Sequence, residues 1–81
     1  MPGESRISID PEICHGKPCI KGTRIPVYLI LEMLEHGLSF KEILEEYSHI
    51  TVEDIKACIR FAKALINNEE INLLVNTGVS S

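Results

Sequence analysis

The segment SFKEILEEYSHITVEDIKACIRFAKALI, residues 39–66, decides the fold because it contains two helices that each carry a start signal. Ser39 and Glu42 have the spacing of a capping box, and so do Thr51 and Asp54, although Asp is the less usual residue in the last place. The three residues 48–50 separate the helices. The pattern predicts one helix from Ser39 to about Tyr47, a short turn, and a longer helix to about Ile66 or Asn67. This is the outline of a helix-turn-helix unit.

Apolar residues repeat at helical spacing along both helices and define the faces that we expect to be buried. The inward positions of the shorter helix are Phe40, Ile43, Leu44 and Tyr47. Those of the longer helix are Val52, Ile55, Ile59, Ala62 and Ile66.

A third helix is predicted immediately before this unit, from Val27 to His36. Its apolar face is formed by Val27, Ile30, Leu31 and Leu34, and Gly37 supplies the residue that ends it. The prediction is therefore a mostly α protein, with a three-helix helix-turn-helix core of the winged-helix or homeodomain-like kind.

The N-terminal segment has the pattern of short strands. Residues 6–10 alternate polar and apolar side chains until Pro11, as in a half-buried strand, and the glycines and prolines of residues 16–26 interrupt any helical pattern. We expect two or three short strands joined by tight turns. The chain is interpreted as one domain, residues 1–81, with a β and turn segment at 1–26, a helical core at 27–67 and a tail at 68–81.

Length and composition restrict the class of protein. With 44% hydrophobic and 25% charged residues, the chain has the values of a globular domain rather than a disordered one. A chain of 81 residues is marginal as a monomer. Neither an apolar run long enough for a membrane span nor a secretory leader is visible, so we expect a cytoplasmic protein without membrane contact. Three cysteines, an odd number, favour reduced thiols.

The net charge of −4 is unevenly distributed. Residues 1–24 and 51–66 each carry +1, whereas residues 25–50 carry −4 and residues 67–81 carry −2. An acidic chain is a poor non-specific ligand for DNA, because affinity grows with the number of phosphates neutralised by Lys and Arg. Local binding through one basic face is still compatible with this distribution.

One such face lies on the last helix, where Lys56, Arg60 and Lys63 are spaced at i, i+4 and i+7. A recognition helix would use these cations to contact phosphates or guanine edges in a major groove. The alternative is an ordinary solvated face on which Glu53 pairs with Lys56. The sequence leaves both interpretations open.

Apolar residues outside the main stripes indicate self-association. Phe61 and Leu65 lie on one flank of the last helix, beside its main apolar face. Leu29 and Met33 widen the apolar face of the first helix. Because dimerisation is one of the few ways in which so short a chain gains buried area, we expect these four residues to form a dimer interface. A wide core contact is the alternative.

Metal binding and catalysis have little support. Cys14, His15 and Cys19 invite a metal site completed by His36, His49 or Cys58, but no second ligand pair has the required spacing. Cys58 is more simply a small buried residue. Residues of the types found in a phosphate-binding loop occur, but they do not have the spacing of that motif. No catalytic motif is present. We expect no enzymatic activity, cofactor, metal or small-molecule substrate.

A longer phrase is far more specific than these motifs. It comprises Asp10-Pro11-Glu12-Ile13, then Gly16-Lys17-Pro18, then Ile20-Lys21-Gly22-Thr23-Arg24-Ile25-Pro26-Val27. The chain thereby resembles the prokaryotic domain of unknown function 433 family, and the likeness extends from about Ile7 to Leu65. His15 stands where that family often has Gly, and Ser48 where it often has Pro.

The resemblance implies a dimeric helix-turn-helix protein, described as a VapB-like antitoxin paired with a PIN-like ribonuclease toxin. On this hypothesis the protein binds operator DNA as an autorepressor and neutralises the toxin. The DNA contacts would come from Lys56, Arg60 and Lys63, supported by Lys17, Lys21, Thr23 and Arg24 of the N-terminal turn. The apolar tail residues Ile71, Leu73, Leu74 and Val75 would dock the toxin.

Alternatives remain at two levels. The phrase at residues 16–27 is either a structural turn shaped by Gly and Pro or a wing-like site for phosphate contact. The whole protein is either the antitoxin or a protein-interaction module without DNA binding, whose working surfaces are the acidic second helix and the tail. A small catalytic or metal-dependent subunit is a weaker third alternative.

Overall fold

The protein is represented by a computed structural model, which describes residues 6–67. In that range the elements follow the order β1 (Ile7–Ser8), β2 (Cys19–Ile20), α1 (Val27–Glu35), α2 (Phe40–Glu46) and α3 (Val52–Leu65). The predicted class is confirmed: three helices pack together, and a small antiparallel sheet precedes them.

The sheet is shorter than the alternating pattern predicted. Strands β1 and β2 pair antiparallel, with Ile7 opposite Ile20, and one further bridge joins Cys19 to Pro26. Strand β1 stops after Ser8 because the next residues form a turn, in which the Asp10 carboxylate accepts a hydrogen bond from the Glu12 N–H at 2.8 Å. Consequently Ile9 is 62% exposed and does not extend the half-buried pattern that residues 6–10 suggested.

Helix α1 begins and ends through backbone hydrogen bonds. The N–H of Val27 donates to the Pro18 carbonyl at 2.9 Å, so the segment before β2 satisfies a donor that the first helical turn leaves free. At the other end Gly37 has a φ of +89°, and the N–H of Leu38 donates to the Met33 carbonyl at 3.1 Å. This is a Schellman motif, as the position of Gly37 predicted.

Both predicted capping boxes are present. Ser39 Oγ accepts from the N–H of Glu42 at 3.1 Å, and Glu42 Oε1 accepts from the N–H of Ser39 at 2.8 Å. At the start of α3, Thr51 Oγ1 accepts from the N–H of Asp54 at 3.3 Å, and Asp54 Oδ2 accepts from the N–H of Thr51 at 3.0 Å. Aspartate therefore completes the second box despite its shorter side chain.

The core contains aliphatic residues and one cysteine, without a buried aromatic ring among residues 6–67. Its members are Ile20, Ile25, Val27, Ile30, Ile43, Ile50, Ile55 and Cys58. Half-buried side chains from all three helices pack around it, including Phe40 and Leu44 of α2, and so does Tyr47 directly after α2. Hence both the sheet and the loop before α3 contribute to the same core as the helices.

The face of α3 that is buried differs from the predicted one. Ile55, Ala57 and Cys58 are fully buried, whereas Val52 is 36% and Ile66 is 53% exposed. The two mispredicted positions flank the helix, one in its first turn and one beyond its last residue, where the neighbouring helices do not cover them. No helix within residues 6–67 has the length and apolarity needed to cross a bilayer.

Asp54 joins the start of the described chain to the first turn of α3. Besides capping α3 through Oδ2, it accepts a hydrogen bond from Arg6 at 3.1 Å through Oδ1, which forms an ion pair. Its side chain is only 15% exposed, so both interactions are partly shielded from water. One carboxylate thus fixes the start of α3 and holds the beginning of β1 beside it.

We predict that Asp54→Ala lowers the free energy of unfolding by about 1–2 kcal/mol, because it removes a helix cap and leaves Arg6 without its carboxylate. Urea denaturation followed by circular dichroism would measure the change. The matched control is Glu53→Ala, an exposed acidic residue one position earlier, for which we expect a change within about 0.5 kcal/mol. Equal losses in the two variants would contradict the role of Asp54.

Candidate nucleic-acid interface and adjoining groove

The predicted basic stripe is exposed on the outward side of α3. Lys56, Arg60 and Lys63 are all exposed, and the fully buried residues of the same helix lie on its other side. The three cations therefore point away from α1 and α2. Lys56 and Lys63 are thereby exposed on the outward side of the helix.

The hairpin at residues 20–25 is a structural turn. The Ile20 carbonyl accepts from the N–H of Thr23 at 3.0 Å, and Gly22 has the φ of +82° that the third position of such a turn needs. The Thr23 hydroxyl then donates to the Ile20 carbonyl at 2.8 Å and accepts from the N–H of Ile25 at 3.0 Å. Because its one proton is used inside the turn, Thr23 is better explained by the structural alternative than by phosphate contact.

The segment before β2 forms an unusual left-handed turn. Cys14, His15 and Gly16 have φ values of 55°, 57° and 80°, although only Gly adopts this region without steric cost. The turn is held by the N–H of Lys17, which donates to the Cys14 carbonyl at 3.0 Å. A Gly at position 15 would adopt this conformation without that cost.

This turn brings the basic residues Lys17 and Arg24 to one side of the sheet. His15, Lys17 and Arg24 line a cavity of about 310 Å³ together with Cys14, Pro26 and Tyr28. The ammonium group of Lys17 lies over the Tyr28 ring, 5.8 Å from its centroid, in a cation–π contact. No carboxylate lines this cavity. The structure thus brings Lys17 and Arg24 to one cavity, whereas Lys21 lies outside its lining.

An apolar groove of about 330 Å³ adjoins the cationic cavity and shares Lys17 and Tyr28 with it. Its walls come from the start of α1 and the end of α3. The lining residues are Lys17, Pro18, Val27, Tyr28, Leu31, Phe61, Ala62 and Leu65. Tyr28 is 56% and Leu65 is 46% exposed, so apolar surface is left uncovered here.

The groove contains only half of the predicted dimer interface. Phe61 and Leu65 line it, whereas Leu29 and Met33 do not. Phe61 and Met33 also pack against the core, which agrees with the alternative of a wide core contact for these two residues. Leu65 is the most exposed of the four, and Leu29 is half-buried.

Helical geometry separates the groove from the basic stripe. At 100° per residue, the centre of the stripe lies about 130–170° around α3 from Phe61, Ala62 and Leu65. Lys17 lines the groove and therefore belongs with the apolar side of α3. The structure accordingly presents two separate surfaces, a basic stripe on α3 and an apolar groove with a cationic margin.

The cysteines do not all match the expectation of reduced thiols. The structure pairs Cys14 with Cys19 in a disulfide, because the left-handed turn returns Cys14 to the strand that carries Cys19. Cys58 is a free thiol and is fully buried, as predicted. No group of three potential metal ligands occurs among the described residues 6–67. The predicted toxin-docking residues Ile71, Leu73, Leu74 and Val75 lie outside that range.

The described residues thus form a small, mostly helical protein, with three helices preceded by a short two-stranded antiparallel sheet. Sequence comparison gives the family: the chain belongs to the family described as "Protein of unknown function (DUF433)", whose profile matches residues 7–62. This confirms the resemblance seen in the sequence.

The chain is also similar to individual members of known protein sets, one solved structure and one sequence. A crystal structure of a DUF433 member protein from Anabaena variabilis ATCC 29413 is similar with a TM-score of 0.73 and 31% identity, over 91% of this chain and 71% of that one. "Uncharacterized protein y4eO" of Sinorhizobium fredii is 31% identical over 58 residues, which are 72% of this chain. The match spans only 26% of y4eO, about a quarter of its length.

The thiol of Cys58 is fully buried in the core, and this changes its pKa. Desolvation, reinforced by the negative charge of Asp54, raises the pKa of the Cys58 thiol from 9.0 to about 12. The unfolded thiol therefore loses its proton at a lower pH than the folded one. Stability from this group is complete below pH 9.0 and is lost as the pH rises towards about 12.

We predict that, between pH 9 and 11, the wild-type free energy of unfolding falls more steeply than that of Cys58→Ala. The difference in slope should approach about 1.4 kcal/mol per pH unit, the value for one proton. Urea titrations at several pH values would measure it. Parallel curves for the two proteins would show that the Cys58 thiol is not protected by folding.

Proposed function

We propose that this protein is the antitoxin of a toxin–antitoxin pair, acting as a dimeric helix-turn-helix repressor that binds its own operator and neutralises a PIN-like ribonuclease. The observation that carries the DNA-binding part is the orientation of α3. Its three cations project from the side opposite the buried residues, where a recognition helix carries the residues that enter the major groove.

The geometry of the helix pair supports this proposal. Only residues 47–51 connect α2 to α3, and both helices contribute to a single core. The capping box at Thr51 fixes the start of α3, so the stripe is held on a rigid element. Lys56 lies in the N-terminal half of α3, the part of a recognition helix that contacts base edges in proteins of this class.

The overall charge is compatible with this assignment. The net charge of the chain is −4, but residues 51–66, which contain α3, carry +1. The acidic residues of α1 and α2 lie in segment 25–50, which carries −4. A dimer would present two such stripes, and this would double the number of phosphates neutralised without changing the fold. The acidic surfaces remain available for a basic, RNA-binding partner such as a ribonuclease.

A protein-interaction module without DNA binding is the second candidate. It is favoured by the exposed carboxylates Glu32 and Glu35 of α1 and Glu45 and Glu46 of α2. Such a module would use these residues and the tail, and it would leave the basic stripe as a solvated face. The two candidates differ in a single measurable property, the salt-dependent binding of operator DNA.

We expect the protein to bind a duplex from its own promoter, with an affinity that falls as salt rises. Lys56→Gln and Lys63→Gln should each weaken binding and lower the slope of log K against log salt by about 1, because each removes one phosphate contact. Fluorescence anisotropy at two or more salt concentrations would measure both effects.

The matched control is Lys17→Gln, since Lys17 lines the groove instead of the stripe. We expect it to leave the slope unchanged. An equal loss in Lys17→Gln would transfer DNA contact to the N-terminal turn. Absence of binding by the wild-type protein at low salt would favour the interaction module.

The toxin-binding part is tested with the product of the neighbouring gene. If that product is a PIN-like ribonuclease, we expect it to bind the full chain and to lose at least tenfold in affinity when Leu73 and Leu74 are both changed to Asp. Calorimetry would measure the affinity, and sedimentation would show whether the dimer survives. Unchanged affinity would remove the tail from the toxin contact, and a monomer of about 9 kDa would contradict the dimer.

A further inference from the structure

The apolar groove leaves apolar surface uncovered on the described chain, and Lys17 lies at its margin. It is formed by the start of α1 and the end of α3, and it leaves Tyr28 and Leu65 about half exposed. Lys17 stands at one edge, beside the cavity that contains His15 and Arg24. No carboxylate lines either cavity. A suitable occupant therefore combines apolar side chains with negative charge.

The chain itself contains a segment with this chemistry. Residues 69–75 read EEINLLV, two glutamates followed by four apolar residues around one asparagine. They are the only acidic residues after Asp54 in the sequence, and they are adjacent to the longest apolar run of the tail. This order of charge and apolarity complements a groove whose edge is basic.

The position at which the described chain ends also fits this segment. Leu65, the last residue of α3, lines the groove. Glu69 follows it by four residues, and four extended residues span at most about 13–14 Å. Asn67 and Asn68 lie between them, and asparagine tolerates the left-handed conformation that reverses a chain after a helix. The segment is therefore within reach of the groove.

The size of the groove agrees with a small number of side chains. Its volume of about 330 Å³ is roughly twice that of the cavity of about 150 Å³ that was engineered into a protein core and accepts benzene. Two leucine-sized side chains match this space. Leu73 and Leu74 are the natural candidates, with Glu69 or Glu70 near Lys17.

We propose that residues 69–75 dock in the apolar groove of their own protomer, with Leu73 and Leu74 between α1 and α3 and the glutamates at Lys17. The docked segment covers Leu65 and Tyr28 in the free protein. Only one consequence rests on the function proposed above: a toxin that binds the tail must first displace it from the groove, so the antitoxin's affinity depends on this intramolecular contact.

The test uses the full chain alone, without toxin or DNA, so its outcome is independent of the proposed function. In methyl-labelled protein we expect nuclear Overhauser effects between the methyl groups of Leu73 or Leu74 and those of Leu65 or the ring of Phe61. Lys17→Glu should weaken them at least threefold, and combining it with Glu69→Lys and Glu70→Lys should restore them.

Two further variants separate docking from misfolding. Lys63→Glu, a charge reversal on the opposite side of α3, should leave the contacts unchanged. Leu73→Asp with Leu74→Asp should shift the Leu65 methyl and Tyr28 ring signals while the buried Ile30 and Ile43 methyl signals stay in place. Absence of the effects in the wild-type chain would overturn the proposal.

The remaining outcomes also overturn it. Effects that appear only between differently labelled chains in a mixed sample would assign the groove to a second copy of the protein. Contacts that persist unchanged in Lys17→Glu would show that charge does not direct the segment to this groove.

Discussion

The carboxylate of Asp54 is the interaction on which the described structure depends most. One oxygen caps the first turn of α3 and the other binds Arg6, so a single side chain fixes both where the helix starts and what lies beside it. A shift of α3 by one residue in its packing against the core would turn a different side of the helix, about 100° away, towards the core. The buried face, the groove and the basic stripe of α3 would then all be displaced, because they share this one origin.

Helix α3 therefore contacts three environments, which are the core, the groove and the solvent. Ala57 and Cys58 are fully buried, Phe61 and Leu65 line the groove, and Lys56 and Lys63 are exposed. Small residues at the buried positions leave room for α1 to pack against α3. Because the helix has only 14 residues, it cannot change one of these faces without affecting the others. The separation of apolar and basic surfaces is therefore a property of the helix as a whole.

The sequence predicted the elements whose signals are local. Ser39 with Glu42, Thr51 with Asp54, and Gly37 each determine a helix end through residues a few positions away, and all three were recognised correctly. The groove could not be predicted in this way. It requires the left-handed turn at residues 14–16 to carry Lys17 across to Tyr28, and no period in the sequence encodes that contact.

The buried face of α3 was mispredicted for a related reason. A hydrophobic pattern gives weight to large residues, so it selects Val52 and Ile66 for the apolar face of α3 and leaves Ala57 out of it. Burial, however, depends on the elements that pack against each position. Ala57 is fully buried, whereas Val52 in the first turn of α3 and Ile66 directly after the helix remain partly exposed. The apolar side chains that stay exposed at the end of α3 do not form a core of their own. They form a surface patch of the kind that marks interaction sites. In a chain this short, the same few apolar side chains must serve folding and recognition, so whatever covers the groove competes with whatever else binds there.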